Sequence, residues 1–297
     1  MQISSFDQRY VHKLDPWAVL VTRVVAPYAD AALDEDTIWD VEVSLPLQVA
    51  HPVYAHQSAV LLGMEAFRQA GTALAHVAGG VPLGHAFVAT RVAMRWTADP
   101  SALVGVVPVR FSFRTLCAEH RRGTLVRHVF DADVTVDGVV VAQASGDLQC
   151  VDPRVHARLR AGAPAWHELE PRHDPAALGD VRTTPEGLEA WLGWDAQDRM
   201  VFDHGVDHVP AMHLARAAIT AHHLLTAADT VTAIDVRCTR YVELTGTAGV
   251  RSVREDGATR TEILQGDEPA AVVTCATEVL PPLRRADVEE PAGTALV

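Results

Sequence analysis

Apolar and polar positions along this chain fall into a helix-and-strand pattern that is written twice. Runs rich in β-branched and apolar residues at 17–25 (WAVLVTRVV) and 37–47 (TIWDVEVSLPL) predict strands. A stretch of apolar and small residues over about 57–77 predicts a helix enclosed on nearly all sides. Strand patterns follow at 87–96, 103–114, 124–136 and 139–149. Val136-Asp137-Gly138 joins the last two as a hairpin turn, because glycine accepts positive φ. The order then returns: a helix over about 209–225, then strands near 230–244, 247–254, 259–265 and 269–279, with Arg254-Glu255-Asp256-Gly257 as the hairpin turn.

The return is visible in the letters themselves. HPVYAHQSAVLLGMEAFRQA at 51–70 and FDHGVDHVPAMHLARAAITA at 202–221 are each a histidine-bearing turn running into a helix. GVVVAQASGDLQCVDP at 138–153 likewise corresponds to DEPAAVVTCATEVLPP at 267–282. Repetition on this scale predicts one structural unit built twice. The expected architecture is α+β, each unit a long buried helix wrapped by an antiparallel sheet. The first unit spans 1–153 and the second 186–282; a charged, Pro-rich linker occupies 154–185 and a tail 283–297.

Composition narrows the function classes. The chain has 297 residues, enough for two ordinary cores, with 48% hydrophobic and 21% charged residues. A net charge of -13 excludes a broad nucleic-acid surface, which needs a basic stripe. Local basic clusters (His120-Arg121-Arg122, then Arg154, Arg158 and Arg160) are either solvated loop charge or a dock for an acidic partner. Cys117, Cys150, Cys238 and Cys275 are far apart and form no CxxC, so free thiols in a reducing compartment are expected. The opening MQISSFDQRYVHKLD has no signal-peptide core, and the longest apolar stretch, 58–75, carries Glu65, Arg68 and Gln69, a poor membrane span. A cytoplasmic location is expected.

Charges inside an apolar helix are costly unless they are paired or face a cleft. Glu65 and Arg68 lie three apart on one helix face, either as an internal ion pair or as a carboxylate and guanidinium aimed into a pocket. The second helix has Arg216 and Ile219 at the matching places, and Arg216 could cap a carbonyl, neutralise a carboxylate or grip a phosphate. His51 and His56 precede the first helix; His204 and His208 precede the second. A helix N-terminus offers free N–H groups to a carbonyl, and a histidine there could move protons near neutral pH. Asp203 either orients His204 or caps the turn. Gly205 and Pro210 disfavour a helical His204/His208 metal pair, and no metal or cofactor is expected. GxSxG, P-loop and GxGxxG patterns are absent.

FDHGVDHVPAM before an apolar helix, Tyr10-Val11-His12-Lys13 near the start, Glu65 to Ala70 in the first helix and Val81-Pro82-Leu83 after it resemble the A-factor biosynthesis (γ-butyrolactone synthase) hotdog family. The resemblance runs over about residues 8–280. It implies two hotdog folds in tandem and transfer of a β-ketoacyl group from an acyl carrier protein to dihydroxyacetone phosphate or a similar small acceptor. On this reading Glu65, Arg68, His51 and His204 are the expected catalytic residues, and Arg216, His208, Asp203 and His56 the expected substrate-binding ones. The second unit departs from the family pattern: Ala211, Arg216 and Ile219 stand where the pattern has Gly, Glu and Arg. Two rivals follow from that departure, a hotdog dehydratase or cyclase pairing His204 with Glu65 on a carrier-bound polyketide, and a non-catalytic binder of an acyl carrier or small ligand. Further association of two chains is left open.

Overall fold

A computed structural model describes residues 4–35, 37–163, 172–174, 176–228 and 230–277. In chain order its elements are β1 Val21–Val25, β2 Ile38–Leu47, α1 Ala59–Val77, β3 Ala86–Trp96, β4 Gly105–Arg121, β5 Thr124–Val136, β6 Val139–Val151, α2 Pro153–Leu159, β7 Leu178–Thr183, β8 Gly187–Leu192, α3 Ala211–Thr226, β9 Ala233–Cys238, β10 Ala248–Glu255, β11 Ala258–Gln265 and β12 Glu268–Ala276. All twelve strands join one sheet, in the order β1-β2-β4-β5-β6-β3-β9-β12-β11-β10-β8-β7. Read outward from the centre, both halves follow one plan: β3-β6-β5-β4-β2-β1 on one side, β9-β12-β11-β10-β8-β7 on the other. The halves meet through the antiparallel β3–β9 pair, registered from Arg91 opposite Arg237 to Arg95 opposite Ala233.

Each half folds around its long helix. The side chain of Ser58 caps α1 by accepting from Leu61 N–H at 3.3 Å. Nearly every residue of α1 is buried, as the all-round apolar pattern predicts. It packs on β1, β2 and β3. Phe67 stacks on Phe113, ring centres 5.6 Å apart, beside Phe111 and Phe130. Gly71 lets the helix lie close to Phe130, since a Cβ there would meet its ring at 2.9 Å. Helix α3 packs on β7 to β12 and against α1, so the two helices share a seam. Among the described residues no helix is long and apolar enough to cross a membrane.

Both predicted hairpin turns have positive φ at their two central residues, Asp137 (50°) with Gly138 (79°) and Asp256 (44°) with Gly257 (80°), which matches the right-handed twist of the flanking strands. Three expectations need correction. The strand expected from residue 17 begins at 21, because Asp15 caps a short 3-10 turn over Pro16–Ala18. The segment 154–185 is more than a linker: it carries most of α2 and all of β7, so the second half opens at Leu178. The strand expected over 230–244 ends at Cys238, where a loop begins that walls the cavity described next. Residues 164–171 of the expected linker and the expected tail 283–297 lie outside the described residues.

Candidate active site

A cavity opens on the seam between the halves. It is walled by the N-terminal turn (His12, Lys13), by α1 (Glu65, Arg68), by the start of β3 (Phe87, Val88), by the loop before α3 (Met200 to Pro210) and by the segment after β9 (Arg240, Tyr241). Most of the wall is apolar, with a few polar side chains in it. Such a mixture suits an apolar ligand bearing a few polar groups.

Glu65 organises one side. Its side chain is 1% exposed, and four hydrogen-bonding contacts hold it. Arg68 donates from Nε and Nη2 at 2.8 Å each, Gln69 Nε2 donates at 2.8 Å, and Lys13 Nζ lies 3.2 Å away. Burial alone would push this carboxyl up, but the charges of Arg68 and Lys13 and the bonds from Arg68 and Gln69 hold it at about 2. Lys13 also donates to the Met200 carbonyl at 2.6 Å, tying the N-terminal turn to the second half. Arg68 spends Nε and Nη2 on Glu65 and Val11 O. A carboxylate so saturated with donors is a poor proton acceptor. Glu65 instead anchors the two cations Arg68 and Lys13 beside the cavity.

The loop before α3 brings two aspartate–histidine pairs to the site. His204 Nδ1 donates to Asp203 Oδ1 at 2.6 Å, and Asp203 Oδ2 accepts from Leu14 N–H at 2.8 Å. Asp203 is 1% exposed; burial raises its pKa, but His204 and Lys13 bring it below the usual carboxylate range. The carboxylate fixes the tautomer, so His204 offers the lone pair of Nε2. His208 Nδ1 donates to Asp207 Oδ1 at 2.7 Å, and Arg160 forks onto Asp207 and Glu243 at 2.7–2.8 Å while lying 4.3 Å over the Tyr241 ring. Helix α3 starts after Pro210 with no side-chain cap, and the N–H groups of Ala211 and Met212 have no partner among the described residues. Both residues line the cavity, as a site for a developing oxyanion requires.

His12 completes the wall and was not singled out from sequence. It adopts left-handed backbone (φ 53°, ψ 53°) at the end of the turn Gln8–Val11. Its Nε2 lies 3.0 Å from His76 Nε2, and His76 Nδ1 lies 2.7 Å from the Val81 carbonyl. Burial, then Arg68, His76 and His204, depress its pKa to about 3, so it is neutral at ordinary pH. The sequence marks His12 only as part of the family-like segment Tyr10–Lys13, because its partners His76 and Val81 are remote in sequence.

The remaining predicted residues lie elsewhere. His51 does not line the cavity; its Nδ1 accepts from the N–H groups of Val53 and Tyr54, at 3.1 and 3.2 Å, and holds the turn before α1. His56 is exposed on that turn in left-handed backbone, φ 66°. Arg216 does not line the cavity; it forms an ion pair with Asp198 and contacts Met200 Sδ at 3.3 Å. Asp203 does not line the cavity; its carboxylate accepts from His204 Nδ1 and from Leu14 N–H. The turns at 51 and 202 read alike, but only the second puts an acid beside each histidine. Among the described residues no group of three or more His, Cys, Asp or Glu could hold a metal ion.

Comparison with known proteins agrees with this architecture. The family model of the A-factor biosynthesis hotdog domain matches residues 2–152. A 2-oxo-3-(phosphooxy)propyl 3-oxoalkanoate synthase of Streptomyces virginiae is 33% identical over 175 residues, an alignment covering 53% of this chain and 58% of that relative's length. The chain thus spans little more than half of that relative. Among solved structures, an acyl-ACP thioesterase from Bacteroides thetaiotaomicron superposes with a TM-score of 0.50 at 11% identity, covering 81% of this chain and 98% of that one. A 12:0-ACP thioesterase from Umbellularia californica gives 0.47 at 9% identity, with 80% and 96% covered. With its helix-centred antiparallel sheet and the match over its first half, the chain belongs to the A-factor biosynthesis hotdog family.

Proposed function

We propose that the chain is a tandem pair of hotdog units that transfers a 3-oxoacyl group from an acyl carrier protein to a hydroxyl of a small phosphorylated three-carbon acceptor. The observation that carries this reading is the gathering of the Asp203–His204 pair, Arg68 and Lys13 at one cavity. The acyl-pantetheine arm lies along the apolar wall, with its thioester carbonyl at the open N–H groups of Ala211 and Met212. Arg68 and Lys13 hold the phosphate. His204 Nε2 takes the proton of the acceptor hydroxyl as its oxygen bonds to the carbonyl carbon. The C–S bond then breaks, and the leaving thiolate takes that proton from His204, so charge and atoms balance. The Streptomyces virginiae relative, whose name joins a 2-oxo-3-(phosphooxy)propyl group and a 3-oxoalkanoate, supports the substrate class. Dehydration by His204 with Glu65 is disfavoured, because it needs a mobile proton on a carboxyl that its donors keep ionised.

The test is mass spectrometry of a carrier-bound 3-oxoacyl thioester incubated with the protein and a phosphotriose. Transfer is expected as a new phosphorylated ester, with His204→Ala slower by about 10²–10⁴-fold. Free acid in place of the ester, loss of water from a carrier-bound 3-hydroxyacyl chain, or undiminished turnover by His204→Ala would each reject the assignment.

A further inference from the structure

Three basic side chains line the cavity, and their partners divide them. Lys13 and Arg68 are largely buried and both sit on Glu65. Arg240 is the one exposed residue among the described residues of the wall, with its side chain 46% open to solvent, so it marks the rim. Its backbone is fixed: the N–H groups of Thr239 and Arg240 both donate to the Ala270 carbonyl, at 2.9 and 3.1 Å, and bolt the segment after β9 to β12. Its guanidinium is held less firmly, by Glu268 at 2.6 Å, a side chain 74% exposed. An ion pair so open to water contributes little, and an incoming anion can take the place of the carboxylate. The chain as a whole carries a net charge of -13, so an anion that approaches this rim needs a local cation to receive it.

We propose that Arg240 binds the phosphate of the phosphopantetheine arm, so that the acyl carrier protein docks over the segment after β9. The inference rests on the acyl-transfer reading above and names the docking face within it. A carrier protein is too large to enter the cavity, and the phosphodiester sits where the arm joins the carrier. With the thioester inside, that phosphodiester stops at the rim. A guanidinium there meets two phosphate oxygens with parallel N–H···O bonds. Lys13 and Arg68, engaged by Glu65 deeper in the wall, remain for the phosphate of the acceptor. The basic hairpin His120-Arg121-Arg122 between β4 and β5 lines no part of the cavity, and its charges are solvated loop charge.

Two 3-oxoacyl thioesters test this, one of phosphopantetheine and one of pantetheine, identical but for the phosphate, each given to the full chain with a phosphotriose. Wild type is expected to use the phosphorylated thioester with a kcat/KM about tenfold higher. Arg240→Gln brings that ratio near one. Glu268→Gln, which frees the guanidinium, widens it, whereas a merely structural ion pair would make the two variants alike. With the carrier-bound thioester, KM rises about tenfold in Arg240→Gln and stays at the wild-type value in Arg121→Gln. A wild-type ratio of one, a ratio unchanged in Arg240→Gln, a ratio narrowed in Glu268→Gln, or a KM raised by Arg121→Gln alone overturns the proposal and leaves acyl transfer standing. Transfer from neither thioester rejects both. If Arg240→Gln fails to fold, the wild-type ratio and its widening in Glu268→Gln still decide.

Discussion

Glu65 shows how one buried charge can be legible in sequence while its role is not. Its spacing from Arg68 on an apolar helix marked both residues, but Lys13 approaches from a turn far away in the chain. Only that third charge shows the carboxylate to be saturated. Removing it strands two cations, one of them 4% exposed, so Glu65→Ala is expected to cost about 3–5 kcal/mol of stability besides its effect on turnover. Urea unfolding measures this; a loss under 1 kcal/mol would mean that the pairs are solvated. Arg216 gives the opposite expectation. It lies outside the cavity and is paired with Asp198, so Arg216→Met should lower the unfolding midpoint while leaving kcat and KM near wild type. A tenfold rise in KM would return Arg216 to the substrate. The histidine turns were legible as features, and their difference lies in the aspartates beside His204 and His208, whose reach toward those rings only the fold displays.

At the scale of elements, strong periodic patterns were read from the letters and weak ones were not. The two long helices and most central strands sit where the apolar pattern predicts, because burial on one or both faces writes itself into the sequence. Strands β7 and β8 escaped notice. β7 is an outer strand with a single buried residue, Leu178, and its exposed positions Asp180, Val181, Arg182 and Thr183 resemble a loop. β8 starts at Gly187, where a Cβ would fall 2.0 Å from the Ser252 carbonyl oxygen. Gly187→Ala must therefore push β8 off β10, at a cost of about 3 kcal/mol. Amide exchange should speed up in β7, β8 and β10 and stay unchanged in β4 to β6; protection lost equally across the sheet would contradict that local account.

Over the whole molecule, buried neutral histidines set the response to acid. Burial depresses His128 and His12 to about 3 and His213 to about 4, against an ordinary 6.5. The unfolded chain binds these protons first. The stabilisation is therefore complete above about pH 6.5 and is lost as pH falls from there toward the folded values. Glu65, held at about 2 against an ordinary 4.5, adds a further loss once pH drops below 4.5. The urea midpoint should therefore be clearly lower at about pH 5 than at about pH 7. A flat midpoint between the two would mean that these rings take up protons while folded.

The β3–β9 seam joins two like halves that are carried by one polypeptide. In an assembly of two identical subunits every substitution arrives in duplicate, and whatever suits one chamber is imposed on its twin. Covalent continuity lifts that constraint. A carboxylate can settle in one long helix while a guanidinium takes the matching place in the other, and each half is then judged by selection on its own merits.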